Sequence, residues 1–154
     1  MGGLKIDVRD WLPHTPPMLM LSEVLAYTDK GIDGLSRIRV DNPLLEDGHF
    51  PSLGGIELFA QLAGILFAIK NTAHHQPGPV EKISGVKPLG GAVVQLKSFK
   101  LAEASIPVGS ELRIHADFIG GSEQAARMSG VVYFGKKKIF EGSLMIALFA
   151  EQST

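Results

Sequence analysis

The residues best suited to chemistry lie in one stretch: Gly48-His49-Phe50-Pro51-Ser52-Leu53-Gly54-Gly55-Ile56-Glu57-Leu58-Phe59-Ala60-Gln61. A histidine stands in a loop, two glycines stand at the start of a helix, and a glutamate stands in its first turn. Imidazole titrates near neutrality and serves as a general base. A carboxyl on an apolar helix suits a general acid, because burial favours the protonated form. The unpaired N–H groups of a helix N-terminus can hold an oxygen that becomes negative. Glycine lets a substrate approach that backbone closely. Together these groups could remove an α-proton beside a thioester, stabilise enolate-like charge and protonate a leaving hydroxyl. The structural alternative is simpler. Glutamate in a first helical turn is favoured by the macrodipole alone, and His49 is then an ordinary loop histidine.

The helix that must position Glu57 is predicted over Ile56 to about Thr72, long and nearly continuously apolar. Leu58, Leu62, Ile65 and Ile69 form a bulky stripe at helical spacing. Glu57, Gln61, Gly64 and Ala68 lie on another side, polar first and small afterwards. That second stripe either lines a narrow channel or lets neighbouring elements pack closely at Gly64 and Ala68.

Strands are expected around the helix. Met18 to Tyr27 and Gly31 to Val40 read as a hairpin, with Asp29-Lys30-Gly31 as its turn. Asp41 to Gly55 reads as loop. Ala73 to Pro79 is expected to end the helix in a polar loop. Five further strands are expected at Ile83 to Pro88, Ala92 to Leu101, Ser110 to Ile119, Ala126 to Phe134 and Lys138 to Leu148. Turn signals separate them at Pro88 to Gly91, Ile106 to Gly109, Gly120 to Ser122 and Gly135 to Lys137. One buried helix plus one long antiparallel sheet is α+β, with the helix wrapped by the sheet. No repeat or linker divides residues 1–154, so a single domain is expected.

The remaining histidines carry less. His74-His75 falls in the loop after the helix, with too few companions for a metal site. His115 sits mid-strand, in packing or at the surface. No glycine-rich phosphate loop and no GxSxG elbow occur. Lys136-Lys137-Lys138 is most simply a solvated turn; the alternative is attraction of an acidic carrier protein.

Composition bounds the rest. The chain has 154 residues, 45% of them hydrophobic, which is enough for a real core. Fifteen lysines and arginines against 16 aspartates and glutamates give a formal net charge of -1. A nucleic-acid binder would carry a basic excess. There is no cysteine, which excludes disulfides and thiolate chemistry. The N-terminal residues lack an apolar stretch of signal-peptide length, and a cytoplasmic location is expected. The apolar run Ile56 to Ile69 is shorter than the roughly 18 residues of a membrane span, so a buried helix is expected.

These residues resemble a known family. Leu12-Pro13-His14, then Pro17-Met18-Leu19-Met20-Leu21, is similar to the opening of bacterial 3-hydroxyacyl-acyl-carrier-protein dehydratases of the FabZ type. Gly48-His49-Phe50-Pro51 resembles their catalytic histidine motif. Glu57 to Gly64 resembles their helix motif, with acid and glutamine four apart. Ile106 to Arg113 resembles their proline-glycine turn into a strand. Ser129-Gly130-Val131 through Ala147 resembles their final hairpin. The similarity runs in order from about Arg9 to Phe149. The interval between His49 and Glu57 is shorter than in the FabZ type. In that respect the chain is more similar to the dehydratase-like proteins of aryl polyene biosynthesis, with Leu53 in place of their tryptophan.

The resemblance implies a hot-dog fold, a long central helix wrapped by a curved antiparallel sheet. It implies a homodimer or larger oligomer in which histidine and acid come from different protomers. It implies dehydration of a 3-hydroxyacyl thioester, on acyl carrier protein or coenzyme A, to the trans-2-enoyl thioester. No metal or bound cofactor is implied, since phosphopantetheine arrives with the substrate. By position, His49 is the base and Glu57 the acid. Gly55, with Gly54 as second choice, is the backbone donor to the thioester carbonyl, and Gln61 and Gly64 line the substrate site. The shortened interval makes His14 a reserve base; otherwise His14 fixes the N-terminal turn. Two other functions fit the same fold. One is an acyl thioesterase; the other is a non-catalytic partner subunit that binds acyl carrier protein.

Overall fold

The apolar segment after Gly54 folds as one long helix because it has nearly a full circumference to bury. A computed structural model describes residues 6–12, 14–75, 91–122 and 124–148. A short helix α1 (Val8–Trp11) is followed by strands β1 (Glu23–Tyr27), β2 (Gly31–Arg37) and β3 (His49–Pro51). A 3-10 turn (Ser52–Gly54) leads into helix α2 (Gly55–His75). Then come β4 (Gly91–Leu101), β5 (Ser105–Pro107), β6 (Glu111–Gly121), β7 (Ala125–Phe134) and β8 (Lys137–Leu148).

Six strands form one sheet in the order β1-β2-β6-β7-β8-β4, and every neighbouring pair is antiparallel. Side chains alternate along it as a half-buried sheet requires. On β6, Leu112, Ile114 and Ala116 are buried, whereas Glu111, Arg113 and Asp117 are exposed. Register irregularities on β4 and at Phe118/Gly120 of β6 are bulges that increase local twist and curvature. The sheet's inner face closes on α2 at Leu58, Phe59, Leu62, Ile65 and Leu66, all fully buried. Lys70 Nζ, 4.1 Å from the Phe118 ring centroid, donates to the Asp29 carbonyl at 2.6 Å and ties α2 to β6 and the β1–β2 turn.

Several elements differ from the sequence reading. The strand expected from Met18 begins only at Glu23, because a side chain takes the backbone groups of residues 18–21: Gln61 bonds Met18 O, Met20 N and Leu21 N. The segment 41–55 is not all loop. It contains β3, which pairs with β5 so that Phe50 meets Ile106 and both are fully buried. The turn expected at Ile106 to Gly109 therefore starts as strand, and Gly109 turns the chain with φ +93. Helix α2 runs on to His75, so His74-His75 belongs to its last turn. The strand expected at Ile83 to Pro88 lies outside the described residues. Lys137 and Lys138 are engaged within the chain: Lys137 Nζ donates to Glu103 O at 2.8 Å, and Lys138 pairs with Glu141 at 3.0 Å.

The segment Ser52–Asn71 is long and apolar enough to cross a membrane by length and composition. That exceeds the estimate from the 56–69 run alone. Most of the segment is buried inside the fold, so its apolarity is accounted for by the core.

His115 stands on the outer face between two carboxylates. Nδ1 is 2.8 Å from Asp33 Oδ1 and Nε2 is 2.8 Å from Asp117 Oδ1. Ionised carboxylates only accept, so both contacts are hydrogen bonds when the ring is protonated and donates from each nitrogen. Burial opposes that charge, but the hydrogen bonds from Asp33 and Asp117 outweigh it and hold the pKa above the ordinary histidine value. Gly31 makes the room; an added Cβ there would lie 2.8 Å from Asp117 Oδ1. A raised folded-state pKa gives stability that is full below the ordinary value of about 6.5 and is lost as pH rises through the raised value. Wild type is therefore expected to melt above His115→Ala at pH 6, with the gap closing at alkaline pH. Solvent screening keeps the gap small. Melting curves of both proteins across pH check this, and a gap that widens with pH contradicts it.

Candidate active site

Glu57 points from the first turn of α2 into a partly open position, with 35% of its side chain exposed. Its nearest imidazole partner in the chain is His14, whose Nε2 lies 3.6 Å from Glu57 Oε1. His14 Nδ1 is buried and has no hydrogen-bond partner, so Nε2 is the nitrogen that faces the carboxyl. The chain thus brings together the acid and the reserve histidine.

Gln61 sits one turn further along α2 and is only 2% exposed. Its Nε2 donates to Glu57 Oε1 at 2.9 Å and to Met18 O at 2.9 Å. Its Oε1 accepts from Met20 N at 3.0 Å and Leu21 N at 3.3 Å. A carboxamide has two donors and one doubly accepting oxygen, so its bonding capacity is filled by the protein. Within the chain the Gln61 side chain, expected to line the substrate site, binds Glu57 and the 18–21 segment. Ser36 Oγ donates to Met20 O at 2.7 Å and fixes that segment from the sheet side.

His49 begins β3 after a tight turn, in which Glu46 and His49 exchange backbone hydrogen bonds at 2.8 and 3.0 Å. Asp47 (φ 50) and Gly48 (φ 77) both take the left-handed conformation such a two-residue loop requires. His49 is exposed, with Nδ1 3.0 Å from Asp47 O. A carbonyl only accepts, so Nδ1 carries the proton and Nε2 is left free outward. Within the chain, Glu57 pairs with His14 and not with His49.

The glycines have packing reasons. A Cβ on Gly54 would run into the Phe50 ring, and one on Gly55 would lie 2.9 Å from Phe140 Cβ. The Gly55 N–H is directed at the Ser52 and Leu53 carbonyls inside the 3-10 turn, so it is not a free donor in this chain. Gly64 is different. A Cβ there would meet only Leu12 Cδ2, at 3.8 Å. Among the described residues, close packing therefore does not demand glycine at 64. Among the described residues, no group of three or more metal-ligating side chains converges.

Two features escaped the sequence reading: the 18–21 segment as a strap across α2, and Gln61 as its anchor. The only signal was the adjacency of a proline-rich turn and an apolar run, which reads equally well as a strand.

A central helix wrapped by a six-stranded antiparallel sheet, with an acid at the helix start, defines a hot-dog protein. Solved structures agree on that architecture. The dehydratase heterocomplex ApeI:P from Xenorhabdus doucetiae superposes with a TM-score of 0.78 at 20% identity, covering 95% of this chain and 93% of that one. A hypothetical thioesterase with coenzyme A from Streptococcus pneumoniae TIGR4 gives 0.59 at 12% identity, covering 85% and 88%. In sequence, the chain is 28% identical over 131 residues to the 3-hydroxyacyl-[acyl-carrier-protein] dehydratase FabZ of Acinetobacter baumannii, covering 81% of this chain and 86% of that protein. Residues 6–152 match the ApeP-like model, described as ApeP dehydratase, and the chain belongs to that family.

Proposed function

We propose that the protein dehydrates 3-hydroxyacyl thioesters, with Glu57 as the acid. The observation that carries this is Glu57 at the helix start, held by Gln61 and faced by an imidazole at 3.6 Å. A base removes the C2 proton, electron density moves toward the thioester carbonyl, and Glu57 protonates the 3-hydroxyl, which leaves as water. The product is the trans-2-enoyl thioester. The helix N-terminus favours the negative charge that develops on the carbonyl oxygen. Gly54, rather than Gly55, is the glycine we assign as backbone donor, and the side of α2 at Gly64 receives the acyl chain. Membership of a dehydratase family and similarity to a FabZ protein support the reaction.

The base is His49 in our first reading, supplied to Glu57 across an oligomer interface. Its outward Nε2 and its Nδ1–H fixed by Asp47 O suit that role. A second reading has a specific observation behind it: His14 already faces Glu57 within the chain. We propose an acyl carrier protein as the substrate's carrier, with coenzyme A thioesters as the alternative. No resident cofactor enters the proposal.

Product analysis tests it. The protein is incubated with a 3-hydroxyacyl-acyl carrier protein, and the acyl products are resolved for wild type, His49→Ala and His14→Ala. An enoyl thioester supports dehydration, and the variant that loses it names the base. A free acid as the only product would move the assignment to thioesterase. No conversion across several acyl chains would leave a non-catalytic partner subunit.

A further inference from the structure

We propose that Ser52 is a positioning residue for His49, with the amino group of Lys137 as a second clamp on the loop that Ser52 binds. The proposal rests on reading His49 as the base. His49 opens β3, and β3 pairs with β5 in a two-stranded sheet separate from the six-stranded one. No ladder therefore carries the order of the main sheet to the strand of the base. Phe50 and Ile106 hold the small sheet against the core, both fully buried, but apolar packing is non-directional. Directional ties must set where the small sheet sits. One lies beyond the end of β5, where Gly109 N donates to Ile38 O at 2.7 Å. Another is the hydroxyl of Ser52, a buried residue directly after β3.

The Ser52 hydroxyl has one proton and two carbonyls in reach, Ala102 O at 2.6 Å and Ala104 O at 3.4 Å. The shorter contact takes the proton. Ala102 is the node. Its N–H donates to Ile139 O of β8 at 3.1 Å while its carbonyl accepts from Ser52, so one residue joins the strand of the base to the main sheet. Lys137, at the start of β8, donates from Nζ to Glu103 O at 2.8 Å, the next carbonyl along. Residues 102–104 connect β4 to β5 and are thus held by Ser52 from within and by Lys137 from the surface. A shift of this loop moves Ser52 and, back along β3, His49. A lysine that reads in sequence as part of a solvated turn becomes a remote support of the site.

Lys137→Met is the decisive variant, because the side chain is exposed, distant in sequence from His49 and outside the core. Nuclear magnetic resonance should show the amide and ring signals of His49 shifting in Lys137→Met, and shifting further in Ser52→Ala. Signals of His49 that stay in place in Lys137→Met, with changes confined to residues around Glu103, overturn the proposal. For the turnover of a 3-hydroxyacyl-acyl carrier protein, kcat is expected to fall about 3–30-fold in Ser52→Ala and about two- to threefold in Lys137→Met. KM should stay within about twofold, since misplacing a reacting group costs rate rather than binding. The double variant should lose less than the product of the two effects, because both act on one loop. A folded Ser52→Ala that turns over at the wild-type kcat also overturns the proposal. The resonance signals need no turnover: an inactive wild type sinks the reading of His49 as the base, while the Lys137→Met spectrum still decides whether the loop positions it.

Discussion

Glu57→Gln is expected to lower dehydration by about 10²–10⁴-fold, the usual range for removing a positioned proton donor. The substitution keeps side-chain length and shape. Its new carbonyl oxygen can accept from Gln61 Nε2 as Glu57 Oε1 does now at 2.9 Å. Glu57 is also more than a third exposed at its side chain, so no buried charge is stranded. Melting temperature should stay within about 2 °C of wild type, as for substitutions away from the core. Activity and stability thus separate, which is the signature of a catalytic group. A kcat loss below about threefold in a folded variant would remove Glu57 from the reaction.

The second large effect concerns stability. Phe59→Ala is expected to cost about 3–5 kcal/mol, as other buried aromatic truncations do. Phe59 is fully buried, and its ring centroid lies 5.8 Å from that of Phe140. It also rests on Gly130 of β7, where an added Cβ would collide with the ring. For a domain of this length the loss corresponds to roughly 6–20 °C in melting temperature. The pair carries an internal control. Gly130→Ala alone should destabilise by overpacking, by about 1–3 kcal/mol. Combined with Phe59→Ala, it should cost less than the sum, because the vacated ring leaves room for the new methyl. Denaturant titration of the four proteins measures this, and strict additivity would mean that Phe59 does not pack on Gly130.

Much of this was legible in the residues. Helix α2 could be read because its apolar run is too long for a strand and has two distinct faces. Strands β6 to β8 could be read because their side chains alternate between helix and solvent, and glycine turns separate them. Glu57 stood out as a charge opening an apolar helix. The misses share one cause: the partner that decided the local structure lies far away in sequence. Residues 18–21 look like strand, but their backbone groups bond the side chain of Gln61 rather than a neighbouring strand. Gly54 and Gly55 also have a packing role that the pattern did not show, since Phe50 and Phe140 leave no room for a side chain. His14, distant in sequence, faces Glu57 within the chain, a contact the local pattern does not reveal. Local pattern carries no information about such contacts. The outer-face cluster of His115, Asp33 and Asp117 was likewise invisible, since the two carboxylates come from different strands.

The most direct test of the central claim follows the hydroxyl itself. A 3-hydroxyacyl-acyl carrier protein is prepared with isotopically labelled oxygen at C3 only, incubated with wild type and with Glu57→Gln, and the carrier-bound acyl group is weighed by mass spectrometry. Wild type is predicted to release the label as water and leave an unlabelled enoyl thioester, with Glu57→Gln leaving the labelled substrate intact. Label retained on an unchanged thioester with wild type, or carried into a released free acid, would contradict the account.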